Sequence, residues 1–291
     1  MLTAEELEAR RKGIGGSEIA ALLGLDPFRG ALDIYISKVD GFRSEATPDM
    51  ERGIFLEPGI ANWHAHREGL EVYEPGHLVH PSHPLAMCTP DRFARVQPEP
   101  NQLLRNISIK APRRAGDEWG DTGGATVPVG YVLQLQWEDM VCCARGLPLD
   151  PVSHLVALID GELRVYPIER DVGLQGVLLT TAEAWWAKHV VPKVPPPLDG
   201  SDGASDWIRR RFPRNTTPLA QATLDDEMLM LELKAAEQQW DAVDHAYNVA
   251  RQRIEERIGD AEGLEGAAGR ILWRANKLGI RSLKPRWKET T

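Results

Sequence analysis

The chain is short of several things. Among its 291 residues there are only three cysteines, Cys88, Cys142 and Cys143. An odd count with one adjacent pair builds no disulfide framework and fits a reducing cytoplasm. No apolar run approaches the ~20 residues of a membrane span, so no membrane partner is expected. The opening MLTAEELEARRKG is charged and reads as a helix over 3–11, not as a signal peptide. No repeat of solenoid period occurs. Positive charge is scarce too: 34 Lys and Arg against 43 Asp and Glu give a formal net charge of −9. Taken whole, that balance argues against a nucleic-acid binder. With 42% hydrophobic and 26% charged residues, disorder is excluded as the main state.

What is present reads as an α/β chain. Gly13, Gly15 and Gly16 form a flexible turn, with Ser17 as the expected N-cap of an apolar helical turn that stops at Gly24. Helical spacing covers Ala31–Val39, Met50–Glu68, Pro128–Cys143 and Val172–His189. Alternation marks strands at Leu70–Tyr73, His77–His80, Arg92–Val96 and Asn106–Lys110. Leu155–Ile159 and Glu162–Pro167 form a hairpin around Asp160-Gly161. The order helices, small sheet, helices predicts a small mixed central sheet flanked by helices over residues 1–190. A Pro-rich linker follows at 191–222, then a C-terminal helical extension at 223–291, read as a helical hairpin with a short strand at Arg270–Trp273 and a basic tail. From Arg270 onward seven residues are Lys or Arg and only Glu289 is acidic.

Three residues carry chemistry. Glu57 lies on a helix in GIFLEPGIANW, Asp91 enters a strand in CTPDRF, and Lys110 ends the strand NISIK. A carboxylate at one strand start and a Lys at the end of the next recur in divalent-metal nucleases. Carboxylate oxygens hold Mg²⁺. The metal stabilises the scissile phosphate and helps make hydroxide. The Lys neutralises charge or orients the water. Residues 108 and 110 share one face of their strand, and the Ile109 carbonyl can turn toward the metal. Taken singly, Glu57 is a solvated helix residue, Asp91 a turn former and Lys110 an edge charge; their joint order is what lifts them. His77, His80 and His83 lack Cys partners at zinc spacing and read as strand and loop residues. Cys142-Cys143, Trp185, Trp186 and Trp240 read as packing, and Arg209–Arg211 as either a solvated face or a phosphate contact.

At this point the ordered phrases Arg10 with IGGSEIAALLG, GIFLEPGIA, HPLAMCTPDRF, ISIKAP, VPVGYVLQLQW and Trp185-Trp186 become specific. Over roughly residues 10–190 the chain resembles the YqaJ-type viral recombinases. These are relatives of the lambda-phage exonuclease in the PD-(D/E)xK nuclease superfamily, and the resemblance implies a restriction-endonuclease-like core. It implies a 5′–3′ double-stranded DNA exonuclease of a phage or prophage, working in the bacterial cytoplasm by two-metal-type phosphodiester hydrolysis. It also implies Mg²⁺ (with Mn²⁺ as a substitute), double-stranded DNA ends as substrate, a single-strand annealing recombinase as partner and a ring-shaped homotrimer. Residue by residue, it makes Asp91 the central metal ligand and Glu57 the helix-borne carboxylate near the second metal or its water. Lys110 becomes the catalytic Lys and Gln134 the active-site Gln, with Gln136 next in line. Arg10 and Ser17 bind the 5′ phosphate, in keeping with the free N–H groups of a helix N-terminus.

One position departs from that pattern. The family has Glu or Asp two residues before the Lys; here Ser108 stands there, where it would join Asp91, Glu57 and the Ile109 carbonyl around the metal. Three readings stay open. The protein is an inactive form, which would leave a DNA-end-binding recombination protein. A nearby acid such as Glu138 or Asp139 has taken over. Or the site runs on Asp91, Glu57, Ile109 and waters with weaker metal affinity. An endonuclease or single-strand nuclease of the same superfamily is a further alternative. The net charge also changes meaning. Arg10, Arg11 and Lys12, then Lys110, Arg113 and Arg114, cluster basic charge locally, and local charge is what DNA meets.

Overall fold

In the computed structural model, residues 4–42, 47–96, 103–114, 116, 118–124, 126–216 and 218–288 are described. Thr3 of the expected first helix and Glu289 of the tail lie outside them. The chain forms two compact units, divided between Pro213 and Arg214.

The first unit opens with three helices, α1 (Ala4–Arg11), α2 (Gly16–Leu22) and α3 (Ala31–Val39), and the longer α4 (Pro48–Glu68). Ser17 is not the cap of α2. The cap is Gly15, whose N–H is accepted by the Glu18 carboxylate at 2.8 Å. Helix α4 starts where Thr47 accepts the Met50 N–H at 3.2 Å, with Pro48 at the first turn, and ends on left-handed Gly69.

Strands β1 (Leu70–Tyr73), β2 (Leu78–Val79), β3 (Met87–Cys88), β4 (Arg92–Val96) and β5 (Arg105–Lys110) follow. Helix α5 (Val129–Ala144) then leads to β6 (Val152–Ile159) and β7 (Glu162–Glu169). The central sheet has the order β1-β4-β5-β6-β7. It is mixed: β5 and β6 run parallel and every other neighbouring pair is antiparallel. A parallel pair needs a crossover, and the segment containing α5 supplies it. Asp160 and Gly161, both at positive φ (50° and 85°), close the β6–β7 hairpin. After β7 come α6 (Val172–Trp185), a π-helical turn at Trp186–Val190, and α7 (Asp202–Arg211). Helix α7 lies inside the segment read as a linker; its Ala204 is buried, and Trp207 Nε1 donates to Asp40 Oδ2 at 2.9 Å.

Strand alternation sorts β5 onto two faces. Ile107 and Ile109 join Ile60 and Ala61 of α4, with Val156 and Leu163, in one apolar cluster. Each large side chain there contributes roughly 1.5–3 kcal/mol on burial. Asn106, Ser108 and Lys110 take the opposite face. There Leu135 of α5 packs with Leu155, Ala157, Ile159, Tyr166 and Ile168. Helix α5 therefore roofs the face that carries Ser108 and Lys110.

In the second unit the expected helical hairpin is one continuous 35-residue helix, α8 (Leu224–Ile258), started by a Thr223–Asp226 capping box. A three-stranded antiparallel sheet follows: β8 (Gly263–Gly266), β9 (Gly269–Ala275) and β10 (Arg281–Trp287). Trp240, read from sequence as a packing residue, is 73% exposed on α8.

Candidate active site

The β4–β5 ladder ends at Arg92 opposite Ile107, so Asp91 stands one step beyond it, opposite Ser108. There its carboxylate replaces a ladder acceptor. Asp91 Oδ2 accepts the Ile109 N–H at 2.7 Å and the Ser108 hydroxyl at 3.3 Å, and Lys110 Nζ lies 4.0 Å from the same oxygen. The Lys110 ammonium also sits 5.2 Å from the centre of the Tyr131 ring on α5. Three contacts to one oxygen of Asp91 thus bring Asp91, Ser108, Ile109 and Lys110 into one corner.

Glu57 reaches this corner from the other face. Arg92 Nη1 holds Glu57 Oε1 at 2.9 Å, and its Nη2 lies 3.2 Å from Glu74. Burial and the charge of Asp91 push the Glu57 carboxyl up, while Arg92 and Lys110 pull it down. Arg92 was not legible as a site residue. Following an Asp at a strand start, it reads as an ordinary surface cation until α4 is docked above it.

On α5 the two glutamines part. Gln134 Nε2 donates to Glu138 Oε1 at 2.8 Å, on the side of the corner. Gln136 is spent elsewhere: its amide donates to the Glu169 carbonyl at 2.7 Å and accepts from the Asp171 N–H at 2.9 Å. Glu138 is a further residue here. Its carboxyl is pushed up to about 8, by burial first and by the Asp91 charge second; Gln134, Lys110 and Asn106 act in the opposite direction. Asp139 turns away from the corner, onto Ser153 Oγ at 2.8 and 2.9 Å. Its carboxyl too is raised by burial, against the bonds from Asn106 and Ser153.

The Gly15–Ser17 turn lies on this same helix. A Cβ on Gly16 would come within 3.1 Å of Glu138 Cγ and 3.2 Å of Gln134 Cγ, so glycine lets α2 seat closely on α5 without displacing these side chains. Ser17 is exposed, with its carbonyl accepting from Arg29 at 2.6 Å. Arg10, at the end of α1, accepts Lys38 Nζ on its carbonyl at 2.8 Å.

The donor set suits a divalent cation. Asp91, Glu57 and Glu138 offer hard oxygens, and Asp91 raises both glutamates, an excess of negative charge that a cation relieves. Among the described residues no three acidic, His or Cys side chains already gather tightly enough to enclose an ion. Arg92 draws Glu57 aside, and Gln134 with Asn106 holds Glu138. The histidines of GHLVHPSHP make protein contacts: His83 Nδ1 lies 2.6 Å from Glu183, and His80 packs edge-on against His83.

Residues 7–144 match the YqaJ-like viral recombinase domain. The matched stretch spans a little under half of the chain. It contains Glu57, Asp91, Ser108, Lys110, Gln134 and Glu138, hence the whole corner. Over 215 residues the chain is 27% identical to the uncharacterized protein YqaJ of Bacillus subtilis (strain 168). That alignment covers 72% of this chain and 63% of the relative, so the chain spans less than two thirds of the relative's length. Among solved structures, the alkaline exonuclease LHK-Exo of Laribacter hongkongensis aligns at 19% identity with a TM-score of 0.49, over 72% of this chain and 97% of that one. A putative exonuclease from Eubacterium rectale aligns at 11% identity with a TM-score of 0.45, over 78% of this chain and 98% of that one. Among the described residues, no helix is long and apolar enough to cross a membrane.

Proposed function

We propose that the chain is a divalent-metal nuclease that degrades one strand of linear double-stranded DNA from its 5′ end. The observation that carries this reading is the strand-end corner of the recombinase domain: Asp91 fixed on the Ile109 N–H at 2.7 Å, with Lys110 Nζ 4.0 Å away. Asp91, Glu57 and the Ile109 carbonyl would hold the ion, taken as Mg²⁺ with Mn²⁺ as substitute. When bound, such an ion stabilises charge on the scissile phosphate and lowers the pKa of its water. Lys110 places an ammonium where the phosphate gains charge. Glu57 stands as the helix-borne carboxylate beside the ion or its water, tied to Arg92 at 2.9 Å. Gln134, bonded to Glu138 on α5, orients water or phosphate in this reading. Arg10 and Ser17 receive the 5′ phosphate on the family resemblance; Gly16, the neighbour of Ser17, packs on Gln134 and Glu138 of α5. The homotrimer and the single-strand annealing recombinase belong to the same reading on the family resemblance alone.

One observation favours a second reading, a DNA-end-binding protein without activity. Ser108 is 0% exposed, so neither an acid nor bulk water stands at its position. The experiment compares 5′-phosphorylated linear duplex with circular duplex in Mg²⁺. The nuclease reading predicts loss of nucleotides from the 5′ ends of the linear form and an intact circle. Cutting of the circle assigns the chain to endonuclease chemistry. An inert native chain that Ser108→Glu activates assigns it to the second reading.

A further inference from the structure

The corner is one carboxylate short on the strand, and the roof above it carries one. Ser108 cannot act in its place: its hydroxyl is buried and given to Asp91 Oδ2 at 3.3 Å. Glu138, on α5 above the same sheet face, is 2% exposed. Its Oε2 accepts from Asn106 Nδ2 at 3.3 Å, and Asn106 is the neighbour of Ser108 on that face. Its Oε1 accepts from Gln134. Behind it, the Gly16 backbone packs closely: a Cβ there would lie 3.1 Å from Glu138 Cγ. The carboxylate is thus held between Asn106 and Gln134, and it interacts electrostatically with both Asp91 and Lys110.

A second observation points to a ligand. Asn106 Oδ1 is buried without a hydrogen-bond partner, on the amide that donates to Glu138 and Asp139. An unpaired buried acceptor costs about 1–3 kcal/mol. The two carboxylates take the amide nitrogen, and the amide oxygen left over is a hard donor of the kind a divalent cation collects.

We propose that Glu138, projecting from α5, is the acidic metal-holding group that the strand lacks at Ser108. The acid has moved from the sheet to the helix roofing it, and the site keeps its charge. The inference rests on the nuclease reading, and it takes the side of an active enzyme.

The test measures Mn²⁺ binding by the full chain without DNA, by calorimetry or by the loss of the free-ion paramagnetic resonance signal. Glu138→Gln should weaken binding by at least ~10-fold, the lower edge of what even an outer-shell partner contributes. Asp91→Asn should weaken it at least as much. Glu138→Asp, which keeps the carboxylate on a shorter arm, should bind more tightly than Glu138→Gln, and far-ultraviolet circular dichroism checks that both variants are folded. Loss in Asp91→Asn with native-like binding in Glu138→Gln overturns this inference and leaves the nuclease reading standing. Native protein whose Mn²⁺ binding is indifferent to Asp91→Asn overturns both.

Discussion

Arg92 Nη1 lies 2.9 Å from Glu57 Oε1, and the same nitrogen donates to the carbonyl of Asp91. One buried cation therefore ties the helix-borne carboxylate to the strand that carries the central one. Arg92→Met should leave Glu57 without its counter-ion. We expect a loss of about 1.5–3 kcal/mol, typical of hydrogen bonds to charged groups, read as a lower urea midpoint with an unchanged slope. Nuclease rate should fall as well, because Glu57 is no longer aimed.

Gln134 and Gln136 should behave as opposites. Gln136→Ala removes bonds to Glu169 and Asp171 and should cost about 1–3 kcal/mol of stability, with most of the rate retained at a temperature where the variant is folded. Gln134→Ala should lower the rate at least ~10-fold, at the scale of a positioning defect, with little change in melting temperature. Equal effects from the two would contradict the assignment.

A pH response follows from the other face of the sheet. His154 of β6 is held down to about 4 from an ordinary 6.5, by burial first and by Arg105 second, and the His64 ring lies 6.0 Å from it. The His64 nitrogens and His154 Nδ1 have no hydrogen-bond partner. The unfolded chain binds these protons at higher pH than the folded one. Stability is therefore full above about 6.5 and is lost as pH falls toward 4. Melting temperatures from pH 7 to pH 4 should fall, and His154→Gln should flatten the curve.

Duplex binding should weaken steeply with salt despite the net charge of −9. Each phosphate contact contributes about 0.9 to the slope of log affinity against log salt. Titration from 50 to 200 mM salt checks this, and Arg10→Ala should make the slope shallower.

Much of the frame was readable from sequence because local periodicity and burial agree there. Strands β4 and β5 alternate cleanly, α4 and α5 carry apolar spacing, and Asp160-Gly161 specifies its own turn. Asp91 and Lys110 were readable because their position at strand ends is a local property. What was missed depends on docking. The start of α2 was misplaced because a glycine pair permits both turn and helix, and the choice is made by Gly16 seating on α5. Arg92 acquires its role only once α4 covers it. Glu138 could be named as one of two nearby acids, but not separated from Asp139, since helix periodicity does not say which acid takes the Gln134 amide and which the Ser153 hydroxyl. The single long α8 was read as a hairpin because an isolated helix with an exposed apolar stripe looks the same in sequence as one of a pair.

The most direct test of the nuclease claim is the Mg²⁺-dependent release of nucleotides from 5′-phosphorylated linear duplex by native chain, Asp91→Asn and Lys110→Ala. The account predicts activity in the native chain that a chelator abolishes, and losses of about 10²–10³ or more in both variants, the scale of removing one preorganised electrostatic group. Robust activity that survives Lys110→Ala, or that persists in chelator, would contradict it.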